Sequence, residues 1–180
     1  MKLIWLDLET TGLDPEHDRI LEIAVSEADF NTPFDARPIY HEVFPIHPGA
    51  ILDGFVKDMH TKNGLLKECY ERYEEVKHIW PLHTYVTTRE ALCALIPKAE
   101  SREETPVLAG SSIHFDHDFL KHNIPLLAAR FSHRHYDVSS VKLFCESLGM
   151  PRFPKAEAHR AREDVLESID HAKKCVTWLS

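Results

Sequence analysis

Residues 3–6, Leu-Ile-Trp-Leu, form an unbroken apolar run that passes into the alternating Asp7-Leu8-Glu9, so residues 2–9 predict a buried strand. Asp14-Pro15 supplies a turn beyond it. Within 19–29, Ile20, Glu22 and Ala24 alternate with Leu21, Ile23 and Val25, which predicts a second strand; 37–44, bounded by Pro38 and Pro45, predicts a third. From about Gly49 the apolar spacing becomes helical. Residues 65–76 predict one helix, and Thr87 with Glu90 three positions on matches a capping box opening another over 89–98. "TPVLAGSS" (105–112) predicts a short strand running into small residues. Short helices are expected over 116–123 and 125–131, and one over 139–148 that stops at Gly149 with Pro151 beyond. In the last segment Ala161, Val165, Ile169, Ala172, Val176 and Leu179 recur every three or four residues, the clearest helix of the chain. Strands first, then helices interleaved with strands, argue for an α/β layered domain.

Composition narrows the class. A chain of 180 residues suits one domain, 1–180, with a sizeable core. No apolar run approaches the ~18 residues that span a bilayer, and no small-residue cleavage site follows the N-terminal stretch. Neither membrane span nor signal peptide is expected, and the placement is cytoplasmic. Cys69, Cys93, Cys145 and Cys175 stand singly, without CxxC spacing, which argues for reduced thiols rather than a disulfide frame or zinc knuckle. The net charge of −8 has the wrong sign for gripping a long polyanion. A short anionic substrate is compatible with it, provided bound cations invert the local field.

The candidate chemistry lies at the end of the first strand. Asp7 and Glu9 are two apart, so on a strand they share a face, with no basic neighbour to pair them. Their repulsion is relieved by a hard divalent cation such as Mg2+ or Mn2+, which prefers oxygen ligands. D-x-E by itself is a weak motif, and a solvated pair is the ordinary alternative. Two further acids give it weight. Asp116 follows the small residues Gly110-Ser111-Ser112, and Asp164 lies near the start of the last helix. His159 is five positions before Asp164, roughly 500° of helical turn, so it belongs on the loop before that helix, free to reach across the site. His114, His117, His133 and His135 lack the spacing of structural zinc ligands and are expected to be solvated.

"DLETTG", "SSIHFDHDFL" and "HRAREDV" resemble the three motifs of the DEDDh 3′→5′ exonucleases. More narrowly, "LIWLDLETTGLDPEHDRILEIA", "FVKDMHTKNGL", "GSSIHFDHDFL", "HYDVSSVK" and "HRAREDVLESI" occur in the order seen in oligoribonucleases, though 65–105 carries little of the likeness. The resemblance implies a ribonuclease H-like three-layer α/β fold, a mixed central sheet flanked by helices. It implies that Asp7, Glu9, Asp116 and Asp164 hold two divalent cations, Mg2+ or Mn2+, and that His159 is the general base. The implied substrates are short single-stranded oligonucleotides, dinucleotides above all, cut to 5′-mononucleotides with RNA favoured. The implied assembly is a homodimer with a shared active site, with no membrane partner.

By the same resemblance, Ser112, Ser139, Ser140 and an Arg134 supplied by the second subunit cap the 5′ phosphate. Ser139 and Ser140 also suit capping of the helix after Asp137. Leu13 matches a wedge between the bases, Phe55 a stacking platform that is usually Trp, and His60 a histidine near the substrate. His133 stands where the family usually has a Tyr from the second subunit. Thr10 for the common Met, Phe115 for a polar residue, and His135 and Tyr136 are further departures. They leave the acids and His159 intact while changing what surrounds base and sugar. Short single-stranded DNA or deoxy-dinucleotides are therefore the alternative substrate. A non-catalytic nucleic-acid-binding homodimer is the alternative class, and the intact acidic set argues against it.

Overall fold

The computed structural model describes residues 2–28, 37–79, 84–154 and 159–180. Strand β1 (Leu3–Thr10) lies between two apolar layers. Ile4, Leu6 and Leu8 enter one cluster while Leu3 and Trp5 enter the other, so the run 3–6 offers no place for a polar side chain. β1 is the middle of a five-stranded sheet ordered β3-β2-β1-β4-β5, with β2 (Ile20–Glu27), β3 (Arg37–Val43), β4 (Val107–Gly110) and β5 (His135–Asp137). β2 is antiparallel to β1 and to β3, whereas β4 is parallel to β1 and to β5.

The helices are α1 (Gly54–Lys62), α2 (Leu65–Val76), α3 (Thr84–Leu95), α4 (His114–Asn123), α5 (Pro125–Ala128), α6 (Val138–Ser147) and α7 (Ala161–Leu179). Leu92 of α3, Phe119 and Leu120 of α4 and Leu127 of α5 cover the Ile4-Leu6-Leu8 face. Ala161, Val165, Ile169 and Ala172 of α7, with Val138 of α6, cover the Leu3-Trp5 face. Of the residues whose spacing marks 161–179 as a helix, Ala161, Val165, Ile169 and Ala172 form this buried stripe, while Leu179 at the end is exposed. The result is a mixed sheet between two helical layers, the three-layer α/β arrangement the sequence implies. Among the described residues no helix is long and apolar enough to cross a membrane.

Several expected boundaries shift, each for a local reason. α3 begins at Thr84, so the Thr87–Glu90 pair lies inside the helix rather than at its cap. Tyr85 explains the added turn: its ring packs edge-on against Phe44 at 5.0 Å and its hydroxyl accepts the Ile20 N–H at 3.2 Å. At α6 the cap is Asp137, whose side chain accepts the N–H groups of Ser139 and Ser140, so these serines are first-turn residues and not caps. α4 starts at His114, which puts Asp116 inside its first turn. α5 closes at Ala128, short of the expected 131. β5 answers to no expected element; three residues are too few to display a period of two. The expected end of the second strand, Asp29, lies outside the described residues.

Candidate active site

The face of β1 that buries Leu3 and Trp5 under α7 carries Asp7 and Glu9 farther along, where α7 begins. Asp164, in the first turn of α7, meets them there. Ligand oxygens of Asp7, Glu9 and Asp164 all lie within 4.8 Å of one another. The meeting point is outside the C-terminal ends of parallel β1 and β4, the usual crevice of an open α/β sheet.

Asp116 reaches this place from the other helical layer. A Cβ on Gly110 would stand 2.6 Å from the Leu6 carbonyl oxygen, so only glycine lets the end of β4 lie this close to β1. The chain then turns into α4, and Asp116 Oδ1 accepts the Leu8 N–H at 2.9 Å. Its carboxyl thus sits beside the backbone between Asp7 and Glu9. Burial pushes the Asp116 carboxyl up to about 8, opposed by the Leu8 N–H. A nearby cation would restore its charge. Three convergent carboxylates, with Asp116 outside that set but bonded to the strand between two of them, fit hard divalent cations.

A cleft of about 860 Å³ opens in front of these acids, and among the described residues no Lys or Arg lines it. Leu13, Phe55 and Phe115 form its apolar side, and Leu13 and Phe55 are 80% and 74% exposed. Asp53 caps α1 through the N–H groups of Phe55 and Val56, which sets Phe55 at the helix start and on the rim. His159 lines the same cleft beside Asp7, Glu9 and Asp164. It lies on the loop before α7, as expected, in a left-handed conformation with φ 45°. Its carbonyl accepts Asn63 Nδ2.

His60 is fully buried yet lines the larger cleft, with Nε2 3.5 Å from Glu9 Oε2. Burial lowers it to about 4, opposed by the Thr10 backbone, and holds it neutral. Thr10 also turns inward, its hydroxyl donating to the Gly12 carbonyl at 2.7 Å.

A second cleft, about 450 Å³, shares Asp7 and Asp164 with the first and continues past Ser112, Ser139 and Lys142. The Ser112 and Ser139 hydroxyls are 3.3 Å apart. Ser112 has φ 53°, and its N–H donates to Asp137 Oδ1 at 3.3 Å. Ser140 is exposed and, unlike Ser139, is not among the residues lining either cleft. One turn of α6 separates the residues lining this cleft, which selects Ser139 and Lys142 and passes over Ser140. Lys142 was missed by sequence reasoning, although its place three residues after Ser139 was available as a signal. Its Nζ lies 3.5 Å from His171 Nδ1. His133 and Arg134 are exposed on the loop before β5 and line neither cleft of this chain. His117 and His135 pack edge to face at 4.5 Å, and burial lowers the pKa of both.

A model of the RNase_T exonuclease family matches residues 4–171. The chain is similar to the oligoribonuclease of Chromobacterium violaceum, 36% identical over 95% of this chain and 91% of that protein. It is also similar to the oligoribonuclease of Escherichia coli O157:H7, 32% identical over 93% of this chain and 89% of that protein. Among solved structures, exonuclease I of Methylocaldum szegediense superposes with a TM-score of 0.67 at 16% identity, over 97% of this chain. E. coli exonuclease I in complex with a 5cy-dA13 oligonucleotide superposes at 0.62 and 13% identity over 98% of this chain. This chain spans 40% of each of those two structures, and at such identity the likeness is one of fold.

Proposed function

The chain belongs to the oligoribonuclease family of 3′→5′ exonucleases, and on that premise we propose that it hydrolyses very short single-stranded oligonucleotides, dinucleotides above all, to 5′-mononucleotides with RNA favoured. One observation carries the proposal: Asp7 and Asp164 stand where two clefts join, within a set of carboxylate oxygens no more than 4.8 Å apart. A phosphodiester laid across that junction would have one nucleoside in the larger cleft and its 5′ neighbour running toward the smaller.

Two divalent cations, Mg2+ or Mn2+, would supply charge neutralisation at phosphorus and a lowered pKa for the attacking water. Asp7, Glu9, Asp116 and Asp164 would hold them. The His159 imidazole would take the proton from the attacking water. Leu13 and Phe55 present apolar surface to the bases. The Ser112 and Ser139 hydroxyls and the Lys142 ammonium donate to the 5′ phosphate. In a homodimer, Arg134 of a second copy would close that end, and His133 on the same loop would approach with it. Such closure shortens the substrate that fits, in keeping with an acidic protein that takes only brief polyanions.

The test is turnover of 5′-labelled ribo- and deoxy-dinucleotides and a longer oligomer, with Mg2+, Mn2+ or chelator. Metal-dependent cleavage fastest on the RNA dinucleotide is expected. Faster cleavage of the deoxy-dinucleotide would move the assignment to DNA. No metal-dependent cleavage of any of them would leave a binding protein and reject the proposal.

A further inference from the structure

Glu22 sits buried on β2 opposite Glu9, where a lone carboxylate would be costly. Its charge is met from 138 residues away. Arg160 donates from Nε to both Glu22 oxygens at 3.2 and 3.1 Å and from Nη2 to Oε1 at 3.0 Å. The same guanidinium continues to Glu68 on α2, at 2.9 Å from Nη1 and 3.0 Å from Nη2. The Ala161 N–H donates to Glu22 Oε2 at 3.0 Å, and His41 Nε2 is 2.7 Å from Oε1. Burial works to raise the Glu22 pKa, and these donors outweigh it and hold the carboxyl below its ordinary range. A planar five-donor fork can bridge two carboxylates on separate elements; a lysine ammonium on its flexible stem cannot reproduce that geometry.

His159 immediately precedes this clamp. Its φ of 45° is a conformation that a side chain with a Cβ adopts at a cost, so the surroundings must impose it. They do so from both sides. Asn63 Nδ2 grips the His159 carbonyl, while Asn63 Oδ1 is fixed by the Leu65 N–H at 3.0 Å. On the other side, Arg160 and the Ala161 N–H are locked to Glu22. The imidazole is left in the cleft with Asp7, Glu9 and Asp164.

We propose that Arg160 is the positioning residue of His159: by bridging Glu22 and Glu68 it holds the left-handed turn that aims the imidazole at the acidic cluster. The inference rests on His159 being the general base. Arg160 lines neither cleft, so on this reading it acts on the rate only through its neighbour.

The experiment measures kcat and KM on an RNA dinucleotide with Mg2+ for wild type, Arg160→Lys, His159→Ala and the double variant. Arg160→Lys keeps a positive charge opposite Glu22 and loses the bridge. It should lower kcat by about 30-fold with KM within about twofold, because a small misplacement of a reacting group has effects of this order. In the His159→Ala background the same change should alter kcat by less than about twofold. Glu68→Gln leaves the Glu22 contact intact and should show a smaller kcat loss that also vanishes without His159; it carries the cycle should circular dichroism find Arg160→Lys misfolded. An equal loss in both backgrounds, or wild-type kcat in Arg160→Lys, overturns the proposal. A wild-type rate for His159→Ala alone overturns the base assignment beneath it, which separates the two failures.

Discussion

Asp116 Oδ1 and the Leu8 amide lie 2.9 Å apart although 108 residues separate them in the chain. The bond pins the first turn of α4 to the strand between Asp7 and Glu9. It uses Oδ1 of the buried carboxyl as the acceptor. An asparagine can accept the same N–H, so the geometry and the negative charge can be separated by one substitution.

Asp116→Asn should therefore fold normally and lose at least about 100-fold in kcat, the order found when one charge-stabilising group is removed from a site. Calorimetric titration with Mn2+ should show weakened binding, and circular dichroism an unchanged fold. Near-wild-type turnover would remove Asp116 from the ligand set.

Leu13 and Phe55 are large apolar side chains left mostly in water at the mouth of the larger cleft. Their exposure contributes little to the core, so replacing them should leave stability within about 0.5 kcal/mol. Base stacking is worth ~1–3 kcal/mol, so Phe55→Ala should raise KM for dinucleotides by roughly 10-fold or more with kcat nearly unchanged. A KM equal to wild type would return Phe55 to an ordinary surface role.

Among the described residues Lys142 is the Lys or Arg that lines the smaller cleft, one helical turn from Ser139. Lys142→Gln should weaken binding of a 5′-phosphorylated dinucleotide by about 10-fold, the scale of a hydrogen bond to a charged group, and leave the 5′-hydroxyl form almost unaffected. The salt dependence of binding should flatten by about one charge. Equal losses for the two ligands would place the 5′ end elsewhere.

These residues differ in how far sequence alone reveals them. Asp7 and Glu9 are legible because a period of two puts them on one face and nothing basic follows. Asp164 and the loop position of His159 follow from the helical period that starts at Ala161. Asp116 is legible as a candidate, but its bond to Leu8 is not, because it needs Gly110 to approach Leu6. His60 has the same apparent exposure on paper as any helical histidine; only the fold puts it beside Glu9. Lys142 and Arg160 are charges in polar stretches, which by default belong to a solvated face. What distinguishes Arg160 is a carboxylate 138 residues earlier, and no local pattern reports that distance. Family resemblance names the acids and His159 but not Lys142, which one turn of α6 after Ser139 brings into the smaller cleft.

Glu22 offers a test of the clamp by pH. Its side chain is 1% exposed and its folded pKa lies below the ordinary value of 4.5, since the bonds from Arg160, His41 and Ala161 outweigh burial. A depressed carboxyl pKa means the folded state favours the ionised form more than the unfolded state does. The stabilisation is complete above the unfolded pKa and disappears as pH falls through the folded one. Glu22→Gln removes the titration while keeping an acceptor for Arg160. Near neutral pH it should cost about 2 kcal/mol, the range for hydrogen bonds to charged groups, which is roughly 4–8 °C in Tm for a chain of this size. As the pH drops below 4.5 the wild type loses this advantage and the two melting curves should converge. A Tm difference that stays constant from pH 7 to pH 3 would mean that Glu22 is not held ionised by the clamp, and that Arg160 is anchored by Glu68 instead.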